Sequence, residues 1–329
     1  MPSSPPSPPP ASTPTAVPRR SPSRSGSPCS TPSKWQRPMP EELFALAPAK
    51  VNLTLEVGAA RADGYHELAS VLQTLALADE VTLRPASTPS MQVAGPFAAG
   101  TPEDAGNLAW RAVDALASVL GREPQPFHIR IVKHIPAAGG LGGGASDAAT
   151  VLRLLARRWP DAGEEALATA AAAVGSDEPF LLAGGTALVE GRGERVTPLR
   201  DLPEHGVVLF IPPDTLPNKT ATLFAALDRD GQVDEPAVSR SLAGRLPVRV
   251  TGADLYNSFE RVAFDCFPGL AELWERLEAR TGEAVRLAGA GPTLFWIGPA
   301  ESVDAVVGAA EGVGCTVIPT ATAGSLWRR

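Results

Sequence analysis

The feature that most constrains the fold of this chain is a glycine-rich loop between a predicted strand and a predicted helix. Residues Phe127–Val132 alternate apolar and polar side chains, as in a half-buried strand. Five glycines occupy the six positions 139–144. Apolar residues then recur at helical spacing, at Ala149, Leu152, Leu155 and Trp159. The chain must therefore accommodate a strand, an open backbone loop and a helix in direct succession.

Such a loop suits a polyphosphate ligand. Glycines let backbone N–H groups approach phosphate oxygens, and the free N–H groups and dipole of the following helix favour negative charge. Ser146 and Asp147 are residue types that favour the N-terminal end of a helix. We predict a phosphate-binding loop here, with a tight turn or hinge that binds nothing as the structural alternative.

Two well-known nucleotide loops agree less well with this segment. A Walker loop ends in Gly-Lys-Ser/Thr, which the sequence lacks. Residues 140–145 do satisfy the dinucleotide pattern Gly-x-Gly-x-x-Ala, and Asp161 follows about 20 residues later, as a ribose-binding acid would. However, Pro136 interrupts the turn, and Asp161 follows Pro160 at a predicted helix end and not a second strand. The context therefore disfavours a dehydrogenase.

The composition excludes several other classes. The 329 residues are 44% hydrophobic, which allows two modest domains, and the net charge of −7 has no basic block for nucleic acid or anionic lipid. No apolar run approaches the roughly 20 residues that span a bilayer. Cys29, Cys266 and Cys315 lie far apart, so neither a disulfide framework nor a zinc site is indicated. We expect a reducing compartment, the cytoplasm.

Residues 1–40 differ from the rest of the chain. They are rich in Pro and Ser and contain no acidic residue, which predicts a disordered tail. An organelle transit peptide, which would imply a plastid, is a second interpretation that the proline density opposes. A third is that translation starts at Met39, and the sequence does not choose between them.

The remaining pattern predicts an α+β fold. Strands are expected at residues 50–57 and 79–83, and a helix at residues 107–120. After Pro203, strands and helices follow without strict alternation, which favours α+β over a doubly wound sheet. We predict an N-terminal domain over residues 41–200 and a C-terminal domain over residues 201–329.

Three motifs, in this order, resemble the GHMP family of small-molecule kinases. They are Ala-Pro-Ala-Lys-Val-Asn-Leu at residues 47–53, the Pro136 loop, and Leu-Ala-Gly-Ala-Gly-Pro-Thr at residues 287–293. The resemblance implies a two-domain fold with mixed sheets and helices and an active site in the cleft between the domains. It also implies transfer of a phosphoryl group from ATP, with Mg²⁺, to a hydroxyl of a small molecule.

Four further segments resemble the branch of this family whose acceptor carries a cytidine diphosphate group and belongs to non-mevalonate isoprenoid synthesis. They lie at residues 61–66, 175–180, 190–194 and 257–260. Two alternatives stay open: another kinase of the family, for mevalonate, homoserine or a sugar, and a non-catalytic nucleotide-binding regulator. A regulator would be expected to lack Asp177 or Lys50. We expect a small-molecule substrate, no nucleic acid or membrane partner, and a monomer or weak homodimer.

The resemblance assigns roles residue by residue. Asp177 matches the general base and Lys50 the cation that keeps it ionised. Ser146 is also the candidate magnesium ligand. The residues expected to bind ATP are Pro136, Gly139, Gly140, Gly142, Gly143, Gly144, Ser146 and Asn107. Those expected to bind the acceptor are Asn52, Tyr65, His66, Phe224, Gly289, Gly291 and Thr293, with Tyr65 and Phe224 stacking on the base.

Three positions depart from the family pattern. Ala145 and Ala290 stand where relatives usually carry serine, and modest effects are expected from both. Glu178 replaces an apolar residue directly after Asp177, so a second carboxylate adjoins the expected base. A like charge nearby tends to raise the pKa of a carboxyl unless the side chain points away.

Overall fold

Two long antiparallel strands, β1 (Leu43–Ala60) and β2 (His66–Pro85), form the centre of the computed structural model. The structure describes residues 42–213 and 216–324. The middle of β1 is buried on both faces, which explains its run of apolar and small residues between polar ones. The ladder between the two strands shifts register on either side of Lys50 and Asn52. These irregularities lie where the predicted site residues are.

The other elements follow in chain order. The remaining strands are β3 (Ser90–Ala94), β4 (Phe127–Val132), β5 (Thr186–Gly191), β6 (Arg195–Pro198), β7 (Gly206–Ile211), β8 (Tyr256–Asn257), β9 (Arg286–Leu287), β10 (Leu294–Gly298) and β11 (Thr316–Ala321). The α-helices are α1 (Leu108–Val119), α2 (Gly143–Arg158), α3 (Glu164–Val174), α4 (Glu178–Ala183), α5 (Lys219–Asp230), α6 (Ala237–Arg245), α7 (Glu260–Cys266), α8 (Leu270–Thr281) and α9 (Val303–Ala309).

The strands form two sheets. In the described residues the larger sheet has seven strands in the order β3-β4-β2-β1-β8, with β5 added to the other half of β2 and β6 beyond it. The smaller sheet has the order β11-β7-β10-β9, and all its pairs are antiparallel. Mixed sheets with helices that do not alternate strictly confirm the predicted α+β class.

Buried apolar side chains connect these layers. Helices α1, α2 and α3 pack together over one half of the larger sheet. On the other side, Val51 and Leu53 of β1 share a core with Val207 and Leu209 of β7. The two sheets therefore converge on β1.

Most predicted elements are present, with different ends. The strands at residues 50–57 and 79–83 are parts of β1 and β2, and the helix predicted over residues 107–120 is α1 with its two cap residues. Strand β8, only two residues long, was not predicted, and it joins the larger sheet by pairing in parallel with β1. The tail prediction for residues 1–40 lies outside the described residues. The domain division at residue 200 stays a prediction.

Among the described residues, no helix has the length and apolarity that crossing a bilayer requires.

Candidate active site

The glycine loop ends in a backbone turn that only glycine adopts easily. Gly142 has φ 72°, in the left-handed region, and α2 begins at the next residue without a side-chain cap. The first N–H groups of α2 therefore remain available to an anion. Ser146 and Asp147 are the fourth and fifth residues of α2, near its N-terminal end as predicted, but the cap position is Gly142. Both lie beyond the first helical residues and both are buried.

Close packing holds the loop against the third motif. Gly140 has φ 86°, and a side chain there would overlap the carbonyl oxygen of Ala288. A Cβ at Gly139 would lie 2.6 Å from the Thr293 hydroxyl oxygen. A backbone hydrogen bond of 2.9 Å from Lys50 to Leu141 ties the same loop to β1. Three motifs that are distant in sequence thus meet at this loop.

Lys50 and Asp177 form an ion pair beside the loop. The Nζ atom of Lys50 lies 3.4 Å from Oδ2 of Asp177. The lysine side chain is 5% exposed, whereas that of the aspartate is 39% exposed, so the carboxylate faces the cleft. Asp177 occupies the N-terminal cap position of α4, yet its side chain makes no capping bond. A capping role therefore does not explain this aspartate.

A chain of buried hydrogen bonds positions Lys50. Its ammonium group donates to the side-chain oxygen of Asn52 at 2.9 Å. The amide nitrogen of Asn52 donates to the Ser70 hydroxyl at 2.8 Å, and that hydroxyl donates to the carbonyl of Thr54. Asn52 lines the cleft as predicted, but both ends of its amide are already used to orient the lysine.

Glu178 is the buried carboxyl next to Asp177. It is 2% exposed. Burial, together with the nearby charge of Asp177, raises the pKa of Glu178 to about 7, although backbone N–H groups partly oppose this. The like-charge effect that the sequence predicted for these two neighbouring carboxyls thus raises the pKa of Glu178.

A pocket of about 450 Å³ opens beside the Lys50–Asp177 pair. His66 and Phe224 are stacked on its wall, with ring centroids 4.9 Å apart and planes 19° from parallel. Nε2 of His66 also lies 2.8 Å from Oδ1 of Asp228. Tyr65 is half exposed, and the guanidinium of Arg192 lies 5.2 Å from its ring centroid. Aromatic faces and a few polar groups thus line one end of the cleft.

A buried charge cluster underlies the glycine loop. Lys133, which follows β4, donates to Asp79 of β2 and, at 2.6 Å, to Asp147 of α2, and all three side chains are almost inaccessible. Burial would lower the pKa of Lys133, but the two carboxylates outweigh this and raise it. Burial and the charge of Asp79 raise the pKa of Asp147. This cluster fixes the start of α2 to the sheet.

Asn257 supports the third motif from below. Its amide nitrogen donates to the carbonyls of Leu287 and Gly289, at 2.9 and 2.8 Å. Glu260 accepts from the backbone N–H of Leu287 at 3.0 Å. The segment at residues 257–260, singled out by resemblance without a role, therefore shapes the turn that carries Gly289.

The structure brings most of the predicted site residues together. The glycine-loop cleft is lined by Pro136, Gly139, Gly140, Gly142, Gly143, Gly144 and Asn107. The adjoining pocket is lined by Lys50, Asn52, Tyr65, His66, Asp177, Phe224 and Gly289. Ser146, Gly291 and Thr293 line neither cavity. The side chain of Asn107 is engaged in capping α1 and in a bond to the Pro102 carbonyl.

Several site residues were missed by sequence reasoning. Asp79, Asp147 and Lys133 carry no local signal for their contact, since they come from three separate elements. Arg192 belonged to the segment at residues 190–194, and its position between two glycines was the only available signal. Lys219 also lines the pocket.

Comparison with known proteins agrees with this geometry. A model described as GHMP kinases N terminal domain matches residues 107–185. The chain is 38% identical over 269 residues to the 4-diphosphocytidyl-2-C-methyl-D-erythritol kinase of Saccharopolyspora erythraea, covering 79% of this chain and 84% of that protein. It is 40% identical over 260 residues to the protein of the same name from Dehalococcoides mccartyi, covering 77% and 88%.

Solved structures give the same result. A crystal structure of 4-(cytidine 5'-diphospho)-2C-methyl-D-erythritol kinase matches with a TM-score of 0.66 and 35% identity, covering 86% of this chain and all of that one. The mevalonate kinase of Methanococcus jannaschii, at 13% identity and a TM-score of 0.59, covers 87% of this chain and all of its own, and shares the fold alone. The chain therefore belongs to the GHMP kinases and, within them, to the family of 4-diphosphocytidyl-2-C-methyl-D-erythritol kinases.

Proposed function

We propose that this protein transfers the terminal phosphoryl group of ATP to the 2-hydroxyl of 4-diphosphocytidyl-2-C-methyl-D-erythritol, a step of the non-mevalonate route to isoprenoids. The observation that carries the proposal is the Lys50–Asp177 pair, 3.4 Å apart, in the aromatic pocket beside Gly140 and Gly142, which line both that pocket and the glycine-loop cleft. A donor phosphate held by the loop and an acceptor held in the pocket would meet at this pair.

The residues of the pair have distinct tasks. Asp177 accepts the proton of the acceptor hydroxyl as that oxygen attacks the phosphorus of the terminal phosphate, and ADP leaves. Lys50, held by Asn52, lies beside the carboxylate, and its ammonium stabilises negative charge near the transferred group. Because the transition state of phosphoryl transfer is loose, this placement and electrostatic stabilisation supply most of the catalysis.

Phosphate binding is assigned to the glycine loop. The N–H groups at the start of α2 and the open backbone at Gly140 and Gly142 face the cleft in which the loop lies. We also propose that residues 41–200 and 201–329 act as two domains flanking this cleft. The separate sheet of β7 and β9–β11 supports that division.

Base recognition is assigned to the aromatic end of the pocket. Phe224 and Tyr65 offer faces for stacking, and His66 offers a ring nitrogen near the base edge. Because Asp228 contacts Nε2 of His66, it selects the orientation of the imidazole ring. This arrangement favours a cytidine-bearing acceptor over mevalonate, homoserine or a sugar, none of which carries a base.

Magnesium in the glycine-loop cleft would have few protein ligands. The described residues contain no cluster of three or more His, Cys, Asp or Glu side chains that could cage a metal ion. The hydroxyl of Ser146, the candidate ligand, is buried without a hydrogen-bond partner but does not line the cleft, so Mg²⁺ there would be held mainly by phosphate oxygens and water, as this ion often is. When bound, the ion would neutralise charge on the ATP phosphates.

The test is ADP release by the purified protein with ATP and Mg²⁺. The acceptors compared are 4-diphosphocytidyl-2-C-methyl-D-erythritol, mevalonate, homoserine and galactose, and Asp177→Ala is the catalytic control. We expect turnover with the cytidylylated acceptor alone and its loss in the variant.

Each other outcome selects an alternative. Turnover with a different acceptor would retain the loop and the Lys50–Asp177 pair and discard the roles of Tyr65 and His66. ATP binding with no turnover of any acceptor would favour a nucleotide-binding regulator.

A further inference from the structure

Lys219, the first residue of α5, is a second lysine in the cleft with no role in the function proposed above. Its side chain lines the same pocket as Lys50 and Asp177, and it also lines the outer cavity next to His66 and Phe224. The next residue, Thr220, lines these two cavities and the glycine-loop cleft as well. Lys219 therefore lies between two cavities and next to a residue of the glycine-loop cleft.

The electrostatic surroundings of Lys219 are unfavourable for a cation. Burial and the nearby charge of Lys50 lower its pKa to about 8, while Asp177 opposes this effect. Its Nζ donates to the backbone carbonyl of Gly291. In the described part of the chain, no carboxylate lies within ion-pair distance of it. Lys50 and Lys219 therefore face one ionised carboxylate, that of Asp177, and the buried Glu178, whose raised pKa of about 7 leaves it only partly ionised at neutral pH.

A buried cation and a partly buried one that face a single ionised carboxylate are costly unless a ligand supplies further negative charge. The ammonium group of Lys219 has three donors, and the Gly291 carbonyl uses one of them. We propose that Lys219 is a phosphate-binding residue whose ammonium group donates to an anionic oxygen in the cleft. This inference rests on the proposed function for the identity of the ligands.

Two phosphate groups could supply that oxygen, because Lys219 lines the pocket and the outer cavity, and its neighbour Thr220 also lines the glycine-loop cleft. One is the terminal phosphate of ATP in the glycine-loop cleft, and the other is the diphosphate of the acceptor. Both present the same chemistry to an ammonium group, so binding measurements with separate probes must distinguish them.

The test compares Lys219→Met and Lys219→Arg with the unsubstituted protein. Calorimetry measures binding of CDP, which carries the acceptor's diphosphate, and of a non-hydrolysable ATP analogue. Arg229→Met is the matched control, because it removes one positive charge from the exposed end of the same helix, about 15 Å further along its axis. Circular dichroism establishes that each variant is folded.

We expect Lys219→Met to lower the affinity for one of the two probes about tenfold or more, the usual effect of losing a hydrogen bond to a charged group. Lys219→Arg should retain most of the affinity, and Arg229→Met should match the unsubstituted protein. A loss confined to CDP identifies the acceptor's diphosphate as the ligand, and a loss confined to the ATP analogue identifies the terminal phosphate.

The pH dependence of the probe affinity distinguishes a phosphate-binding role of Lys219 from a role in which it only holds the turn at Gly291. In the unsubstituted protein, affinity for the same probe should fall above pH 8 as Lys219 loses its proton, and Lys219→Arg should not show this fall. The groups that face Lys219 are Lys50, Asp177, Glu178 and the Gly291 carbonyl, and they are unchanged in the variants. If Lys219→Met binds both probes normally, or lowers only kcat with no change in pH profile, the inference is wrong.

The outcome of these binding measurements does not depend on which acceptor the protein phosphorylates. If the unsubstituted protein failed to phosphorylate 4-diphosphocytidyl-2-C-methyl-D-erythritol, the proposed function would fail. A Lys219-dependent affinity for either probe would still support the phosphate-binding role.

Discussion

Glu178→Gln should make the protein more stable at neutral and alkaline pH. Glu178 is 2% exposed, and its pKa is raised from an ordinary 4.5 to about 7, first by burial and then by the charge of Asp177. Because the folded-state pKa lies above that of the unfolded chain, the folded protein holds the proton between these values. Stability therefore falls as pH rises from about 4.5 to about 7.

The size of the effect follows from the two pKa values. Each tenfold difference in proton affinity corresponds to about 1.4 kcal/mol. Ionising Glu178 then costs about 1 kcal/mol at pH 5 and about 3 kcal/mol at pH 8. Glutamine has nearly the same shape and no charge, so between these pH values the unsubstituted protein should lose about 2 kcal/mol more stability than the variant.

The assay is urea unfolding at pH 5 and pH 8, followed by circular dichroism. Glu164→Gln is the matched control, because Glu164 is an exposed acid at the start of α3. Its stability should follow that of the unsubstituted protein at both pH values. Equal losses of stability between pH 5 and pH 8 in the unsubstituted protein and in Glu178→Gln would refute the reasoning. They would mean that ionising the buried carboxyl does not destabilise the folded protein.

Three further predictions concern the site. Asp177→Asn should lower kcat by about 10²- to 10⁴-fold, the range for a lost general base, with little change in the KM for ATP, as steady-state kinetics can measure. Gly140→Ala should abolish ATP binding or folding because its Cβ would overlap the Ala288 carbonyl, whereas Gly144→Ala meets nothing closer than 3.6 Å and should bind ATP normally in calorimetry. Phe224→Ala should raise the KM for the cytidylylated acceptor by about tenfold and leave that for ATP unchanged, because stacking on one base contributes about 1–3 kcal/mol. Equal changes in both KM values would contradict the assignment of Phe224 to the base.

Local patterns in the sequence predicted the α+β class and most elements of the fold. Alternation of side chains indicated β4, and five glycines ahead of a helical repeat indicated the loop that begins α2. Both signals depend on neighbouring residues, so they are readable without the tertiary structure. Strand β8 was missed because two residues are too short to show a period, and only its pairing with β1 defines it.

The candidate site likewise contains residues that the sequence named and contacts that only the structure revealed. Resemblance to a family named Lys50 and Asp177, but their separation of 3.4 Å depends on β1 and the start of α4 converging. The cluster of Lys133 with Asp79 and Asp147 could not be inferred, because its members come from three elements and carry no common motif.

The sequence by itself determined which segments are extended, which are helical and where the backbone must be open to phosphate, because these properties depend on side chains within a few residues of each other. Only the tertiary structure decided which charges share a cavity and which are buried. Glu178 and Lys219 show the difference. Their sequence does not reveal how far each is buried, and burial by the surrounding elements is the largest cause of the perturbed pKa of each.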